Sequence, residues 1–231
     1  LGFQHRGIER AFHRHPLRRQ AYVETLAGDT SIGHAWAYAQ ALEGLAGCAA
    51  SIPMPAHALR GIALELERLA NHTGDLGALA NDVGFLPTAA YCGRIRGDLL
   101  NMTALLCGNR FGRGLVRPGG VAWPVDEPRK AELRRRLDAA DADLRSAVNL
   151  LWETPSVMAR FEETGPLSAA RCREIGVVGL PARAAGIDRD IRQDFPFGIY
   201  RFTHIPGACA DGGDVFGRAY VRWIEIQRAL D

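Results

Sequence analysis

The sequence predicts a mainly α-helical fold, a helical bundle of the kind with only a few short strands. Three observations carry that prediction. Apolar residues recur at three- and four-residue spacings over most of the chain. Capping residues and prolines stand where those runs begin. Only one stretch, 199–202, reads as a short strand.

The elements follow in order. Gly28 and Ser31 open a helix over about 32–45, with Gly47 beyond its end. Pro53 and Pro55 punctuate, and Pro55 fits a first helical turn. A long helix over about 56–83 carries Leu59, Ile62, Leu66, Leu69, Thr73, Leu76, Ala80 and Val83 as one mostly apolar stripe. Gly74 and Gly77 sit inside it, each costing about 1 kcal/mol against alanine, and the close approach of another backbone is expected there. Pro87 and Thr88 start a helix to about 111, with Thr88 as its cap. Arg117, Pro118, Gly119 and Gly120 form a turn. Asp126 caps a charged helix over about 127–151, whose Glu127, Lys130, Arg134, Asp138, Asp141 and Arg145 read as a solvated face. Pro155 and Ser168 begin shorter helices, 176–198 reads as irregular, and 199–202 as a short strand. Asp214 caps a last helix to the end. The expectation is a single helical domain over 1–231, excised from a longer large subunit, since the chain opens on Leu1 inside a motif and ends at Asp231 on a helical pattern.

Composition narrows the function. With 47% hydrophobic and 23% charged residues the chain is of the soluble globular class. A net charge of +2 gives no strong pull toward nucleic acid. Lys130 is the only lysine, and arginine forks suit buried pairs and protein interfaces. Cys48, Cys92, Cys107, Cys172 and Cys209 form no C-x-x-C pair, so no zinc or iron–sulfur motif is legible, and their odd, scattered count points to reduced thiols and a cytoplasmic setting. No membrane-length apolar run occurs.

Four constellations bear chemistry, each beside a plainer reading. His5 and Glu9, with Arg6, stand at helical i,i+4 spacing and could tune a redox centre or relay a proton; the plain reading is a helix start with a surface ion pair. Glu65, Arg68, His72, Asp75 and Asp82 run beside the apolar stripe, as a buried proton-carrying network or as ordinary surface pairs. The stretch 108–120 interleaves three arginines with five glycines, which a phosphate cradle could use, but the Walker and dinucleotide spacings are missing and a loop packed against another subunit fits better. The stretch 179–196 holds Arg183, Asp188, Arg189, Asp190, Arg192 and Asp194, an ordered salt-bridge network or interface if it is not a solvated loop.

Taken in order, "GFQHRGIER", "GDTSIGHAWAYAQALE", "RGIALELERLANHTGDLGALANDVGF", "GNRFGRGLVRPGGV", "VGLPARAAGIDRDIRQDFP" and "GDVFGRAYVRWIE" resemble one family across nearly the whole chain. It comprises the 49 kDa component of complex I, an NADH-quinone oxidoreductase, and the large subunits of NiFe hydrogenases. The resemblance is nearest the energy-converting members of the hydrogenase-4 and formate hydrogenlyase type. It implies a helical large subunit seated on a small subunit that carries the proximal iron–sulfur cluster.

In that family's hydrogenases a C-x-x-C stands in the turn before the first alanine-rich helix. With Glu24 and His34 in register, Ala27 and Thr30 take the cysteine places. A methyl and a hydroxyl cannot replace the thiolates nickel needs, so no metal is expected here. The complex I relatives use the same space as a quinone pocket, but their tyrosine falls on Gly28, and their second quinone group lies upstream of this sequence.

By resemblance, His5, Arg6 and Glu9 lie near the partner's cluster, and Gly28, Thr30 and His34 line the vacated cavity. Arg60, Glu67, Arg68, His72 and Asp75 are structural or proton-linked. No cofactor is expected on this stretch itself, while a quinone could occupy the cavity and NAD binding belongs to another subunit of such a complex. The expected partners are the small iron–sulfur subunit and other subunits of a membrane-associated complex, peripheral on its cytoplasmic side. The isolated stretch is expected to dimerise through exposed apolar surface. The rival expectation is a non-catalytic scaffold that has lost the Ni–Fe site.

Overall fold

The computed structural model describes residues 5–231, the side chain of Leu17 aside. The start of the "GFQHRGIER" block, residues 2–4, lies outside the described residues. The architecture is mainly α: among the described residues, eleven α-helices and one two-stranded hairpin. The helices are α1 (Ile8–Arg14), α2 (Arg19–Val23), α3 (Ser31–Leu45), α4 (Met54–Asp82), α5 (Leu86–Cys107), α6 (Glu127–Trp152), α7 (Pro155–Phe161), α8 (Ala169–Ile175), α9 (Leu180–Ala184), α10 (Ile191–Asp194) and α11 (Val215–Leu230). The hairpin pairs β1 (Val116–Arg117) antiparallel with β2 (Gly120–Val121), and the predicted Pro118–Gly119 turn joins them.

The chain resolves into two compact units. Unit 1 takes Leu1–Glu67 and Leu100–Ala131; unit 2 takes Arg68–Leu99 and Glu132–Asp231.

Unit 1 is built on α3. Its Ile32, Ala35, Trp36, Ala39 and Glu43 are buried at the three- and four-residue spacing that makes one face. Leu115 and Val116 are buried in the same unit, and α3 packs against β1. Gly112 has φ +71°, and a Cβ there would collide with the Ile32 side chain; glycine lets the loop close onto α3. α5 ends at Cys107, short of the expected 111, because Gly108 (φ +75°) turns the chain and Asn109 Oδ1 takes the N–H groups of Phe111 and Arg113. The buried stripe on α4 runs through Leu59, Ala63, Leu66, Ala70, Thr73, Leu76 and Ala80. Ile62, placed on the stripe by sequence, is exposed, because Ala63 holds the inward position one residue on.

In unit 2 the interior glycines meet α5. A Cβ on Gly77 would lie 2.8 Å from Cys92 Cβ, and one on Gly74 would lie 2.8 Å from Arg96 Cδ. The close approach is real, but side-chain atoms make it at both glycines, with the Ala89 carbonyl of the neighbouring backbone 3.5 Å from the Gly77 position. Thr88 is not a cap. It sits inside α5, buried, and its hydroxyl donates to the Ala147 carbonyl of α6 (2.9 Å). The segment 176–198 is not irregular throughout: it folds α9 and α10 between glycines. The expected strand at 199–202 is a 3₁₀ turn, Gly198–Arg201, in which Tyr200 is buried and rests edge-on against Phe197 (5.1 Å). The caps at Asp126, Ser168 and Asp214 form as expected, each accepting a backbone N–H three residues on.

Candidate functional site

The polar turn ahead of α3 is held from both sides. Ser31, the first residue of α3, is buried and its hydroxyl donates to the Glu24 carbonyl (3.0 Å). Arg6 Nη2 donates to the Leu26 carbonyl (2.7 Å). The "HRG" segment and the turn are therefore in direct contact. His5 precedes α1, which starts only at Ile8, so His5 and Glu9 share no helical face; both are exposed. A Cβ on Gly28 would meet nothing within 4 Å among the described residues, which leaves space beside it in the turn. Thr30 and His34 are half-buried. Ala27 and Thr30 offer no sulfur, so the residues present do not fit a nickel thiolate centre.

The N-terminus of α3 has an unexpected partner. The Glu67 carboxylate of α4 accepts the N–H groups of Ile32 (2.7 Å) and Gly33 (3.1 Å), one on each oxygen. A carboxylate there satisfies two of the orphan donors and lies at the positive end of the helix. Thr30 itself makes no side-chain cap.

Arg60 is wholly buried. It forks onto Glu43 of α3 (2.6 and 3.2 Å), and its Nε and Nη2 also donate to the carbonyls of Arg117 (2.7 Å) and Gly120 (2.9 and 3.1 Å). Glu43 also accepts the Gly119 N–H (2.9 Å). Burial would raise the Glu43 carboxyl, but the Arg60 bond and charge and the Gly119 N–H outweigh it and hold the group below its ordinary value. Glu24, buried, fixes the other side of the same loop by accepting from Gly114 N–H (2.8 Å) and Gln20 (3.2 Å).

In unit 2, Arg68 and His72 of the polar stripe on α4 meet Glu225 of α11. His72 Nε2 lies 2.6 Å from Glu225 Oε2 and Arg68 Nη1 3.3 Å from the same oxygen, while Arg183 of α9 takes Oε1. Glu225 is fully buried as a side chain. Burial would raise its carboxyl; the His72 hydrogen bond and the charges around it, Arg183 and Arg68 included, drive it well below the usual carboxylate range. Burial pushes the His72 ring below its ordinary value. The Glu225 bond opposes this without overcoming it, and the charges of Arg68 and Arg222 add to the lowering. The ring is thus pushed toward its neutral form, with Nε2–H donating to Glu225 and a buried Nδ1 that finds no donor among the described residues. Asp75 pairs with Arg222 (2.9 Å) at the exposed edge. In the arginine-rich stretch, Arg192 and Asp190 are buried and paired (2.7 Å), so an ordered salt bridge does form there.

The structure thus brings Arg6 to the Gly28–Thr30 turn, Glu67 to the start of α3, and Arg68 and His72 to one carboxylate. Arg60 stands with the hairpin. Sequence reasoning assigns no role to Glu24, Glu43 or Glu225. A signal is there: Glu43 and Glu225 are lone acids on otherwise apolar helical faces, in "AQALEGL" and "RWIEIQ". A charge on a buried stripe requires a partner.

A family model described as respiratory-chain NADH dehydrogenase, 49 kDa subunit, matches residues 82–231. Over 231 residues the chain is 32% identical to a carbon monoxide-induced hydrogenase of Rhodospirillum rubrum, covering 99% of this chain and 63% of that protein. It is 30% identical to NADH-quinone oxidoreductase subunit 4 of Thermus thermophilus, with 100% of this chain and 56% of that protein covered. Against an NADH-quinone oxidoreductase subunit of Salinispora tropica it is again 30% identical, covering 100% of this chain and 52% of that protein. The chain therefore spans about half to three-fifths of the length of these relatives.

Proposed function

Because the chain belongs to the family of the 49 kDa subunit of respiratory-chain NADH dehydrogenase, we propose that it is part of a large subunit in a membrane-associated oxidoreductase complex. In this reading it lines the place where electrons leave a partner's iron–sulfur cluster for a quinone or similar acceptor. A small iron–sulfur subunit is the immediate neighbour, and the chain sits peripherally on the cytoplasmic side of the membrane. No helix among the described residues is long and apolar enough to cross a membrane.

The observation that carries the reading is the Arg6–Leu26 hydrogen bond. It joins the segment expected beside the cluster to the turn expected beside the acceptor, so donor and acceptor would meet at one place. Arg6 is a fixed cation there and would raise the potential of an adjacent cluster. Reducing a quinone to a quinol takes two electrons and two protons. The open side of Gly28 supplies room, and the Thr30 hydroxyl and His34 ring supply polar groups toward an acceptor carbonyl. The backbone N–H groups of Ile32 and Gly33 cannot serve, because Glu67 already holds them.

Glu67 also favours a second reading. A side chain that closes the start of α3 is what a scaffold with no acceptor would have, and then the subunit only holds its partners. Redox titration of the native complex separates the two. Arg6→Met should lower the midpoint potential of the neighbouring cluster, and added quinone should reoxidise that cluster. An unchanged potential would remove Arg6 from the cluster's side. Reoxidation that ignores quinone would leave the scaffold, and stoichiometric nickel would overturn both.

A further inference from the structure

Several surface arginines of this molecule are each matched by a carboxylate. Arg94, Arg129, Arg135, Arg136, Arg145 and Arg171 each sit against a carboxylate within 3.1 Å. Arg110, Arg113 and Arg117 are different. They are exposed, lie within eight residues of one another around the hairpin of unit 1, and have no carboxylate partner among the described residues. The stretch 108–124 contains no Asp or Glu at all.

Aromatic rings orient these cations. The Arg110 and Arg113 guanidinium groups lie over the Phe111 ring, at 5.8 and 5.6 Å from its centroid, and Arg117 lies over Trp123 at 5.9 Å. A guanidinium stacked on a ring keeps its hydrogen-bonding edges outward. Trp123 is itself 41% exposed.

The loop is rigid beneath them. Glu24 holds the Gly114 N–H, Gln20 the Val116 carbonyl, Glu43 the Gly119 N–H, and Arg60 the carbonyls of Arg117 and Gly120. Buried polar groups thus fix the backbone from inside, and the carboxylates that could have neutralised the arginines are consumed in doing so. Such a surface is pre-organised, and binding to it loses little conformational entropy.

We propose that this hairpin face is the docking surface for an acidic segment of a partner polypeptide, with Trp123 as apolar anchor. The inference rests on the reading of the chain as a subunit. Planar guanidinium forks match carboxylates two-on-two, and an exposed tryptophan with Arg117 stacked on it has the make-up of an interface hot spot. A nucleic acid would call for a wider basic stripe, and an anionic membrane for about four to eight clustered cations. Three arginines in one compact patch, on a chain of net charge +2, fit a short acidic peptide segment.

The test uses the full-length subunit in its native complex, with a photo-crosslinking phenylalanine analogue at position 123. A cross-link to a partner stretch bearing at least two Asp or Glu residues is expected. Arg110→Glu with Arg113→Glu should weaken retention of that partner about tenfold or more and should make the remaining association less salt-sensitive. Both side chains are exposed, and circular dichroism checks that the fold survives. A cross-link to lipid, to nucleic acid, or to a partner stretch without acids overturns the proposal and leaves the subunit reading standing. So does unchanged retention in the double variant. Failure to find any complex overturns both.

Discussion

Arg60 and Glu225 are both buried charges, one in each unit, yet they are held in opposite ways. Arg60 is a cation fixed by one carboxylate and two backbone carbonyls, and each partner belongs to α3 or to the hairpin it locks. Glu225 is an anion shared among three side chains from α4 and α9, and the cluster leaves His72 Nδ1 and Arg183 Nε buried with no partner among the described residues. The first network is closed; the second carries slack. Composition runs the same way. Unit 1 has eleven Arg and Lys against eight Asp and Glu, whereas unit 2 has seventeen against eighteen. In unit 1 the buried acids Glu24 and Glu43 hold the backbone of the hairpin loop while Arg110, Arg113 and Arg117 stay exposed, whereas in unit 2 the buried acids Asp190 and Glu225 pair with arginine side chains.

Breaking the closed network should cost most. Arg60→Met leaves Glu43 buried with the Gly119 N–H and strands the carbonyls of Arg117 and Gly120. We expect a loss of about 3–5 kcal/mol, the range for one partner removed from a buried pair, read from the denaturant midpoint of the full-length protein. A loss below about 1 kcal/mol would show that water reaches the site. Glu225→Gln should cost less, about 2 kcal/mol. The amide still accepts from Arg183 or His72, and Arg68, 21% exposed, can turn to solvent. If Glu225→Gln proved the costlier change, the contrast between closed and slack networks would fail.

Much of the fold is legible because helices announce themselves locally. The stripe on α4, the caps at Asp126, Ser168 and Asp214, and the Pro118–Gly119 turn depend on neighbours in sequence. Where sequence misleads, the causes are tertiary. Thr88 resembles a cap until the Ala147 carbonyl claims its hydroxyl, and 199–202 resembles a strand until Tyr200 packs on Phe197. The candidate site is half legible. Ala27 and Thr30 stand visibly in place of the thiolates, and Arg6 and Glu67 fall within matching motifs. That Arg6 reaches Leu26, or that Glu67 reaches Ile32 from 35 residues away, cannot be read from spacing. Glu225 escapes notice for the same reason: its partners stand 42 to 157 residues distant.

The slack in unit 2 should show itself in pH dependence, and this is the smallest effect. His72 is lowered in the folded state, so between its folded value and the unfolded histidine value of about 6.5 the unfolded chain binds more protons. Stability then rises with pH. On acidification it should begin to fall near pH 7, as the unfolded histidine starts to bind its proton. Protonating Nδ1 would place a new buried N–H where no acceptor waits, with Arg68 and Arg222 nearby opposing the charge and Glu225 favouring it. Glu225 and Glu43 are both lowered, so their contributions stay intact above the unfolded carboxyl value of about 4.3 and are lost only as pH falls below it. His72→Gln keeps a donor for Glu225 and removes the titrating ring. It should flatten the slope that sets in below about pH 7 while leaving the acid limb below about 4.3 unchanged. If the slope survives that substitution, a different histidine carries it and the Glu225 cluster is as closed as the one around Arg60.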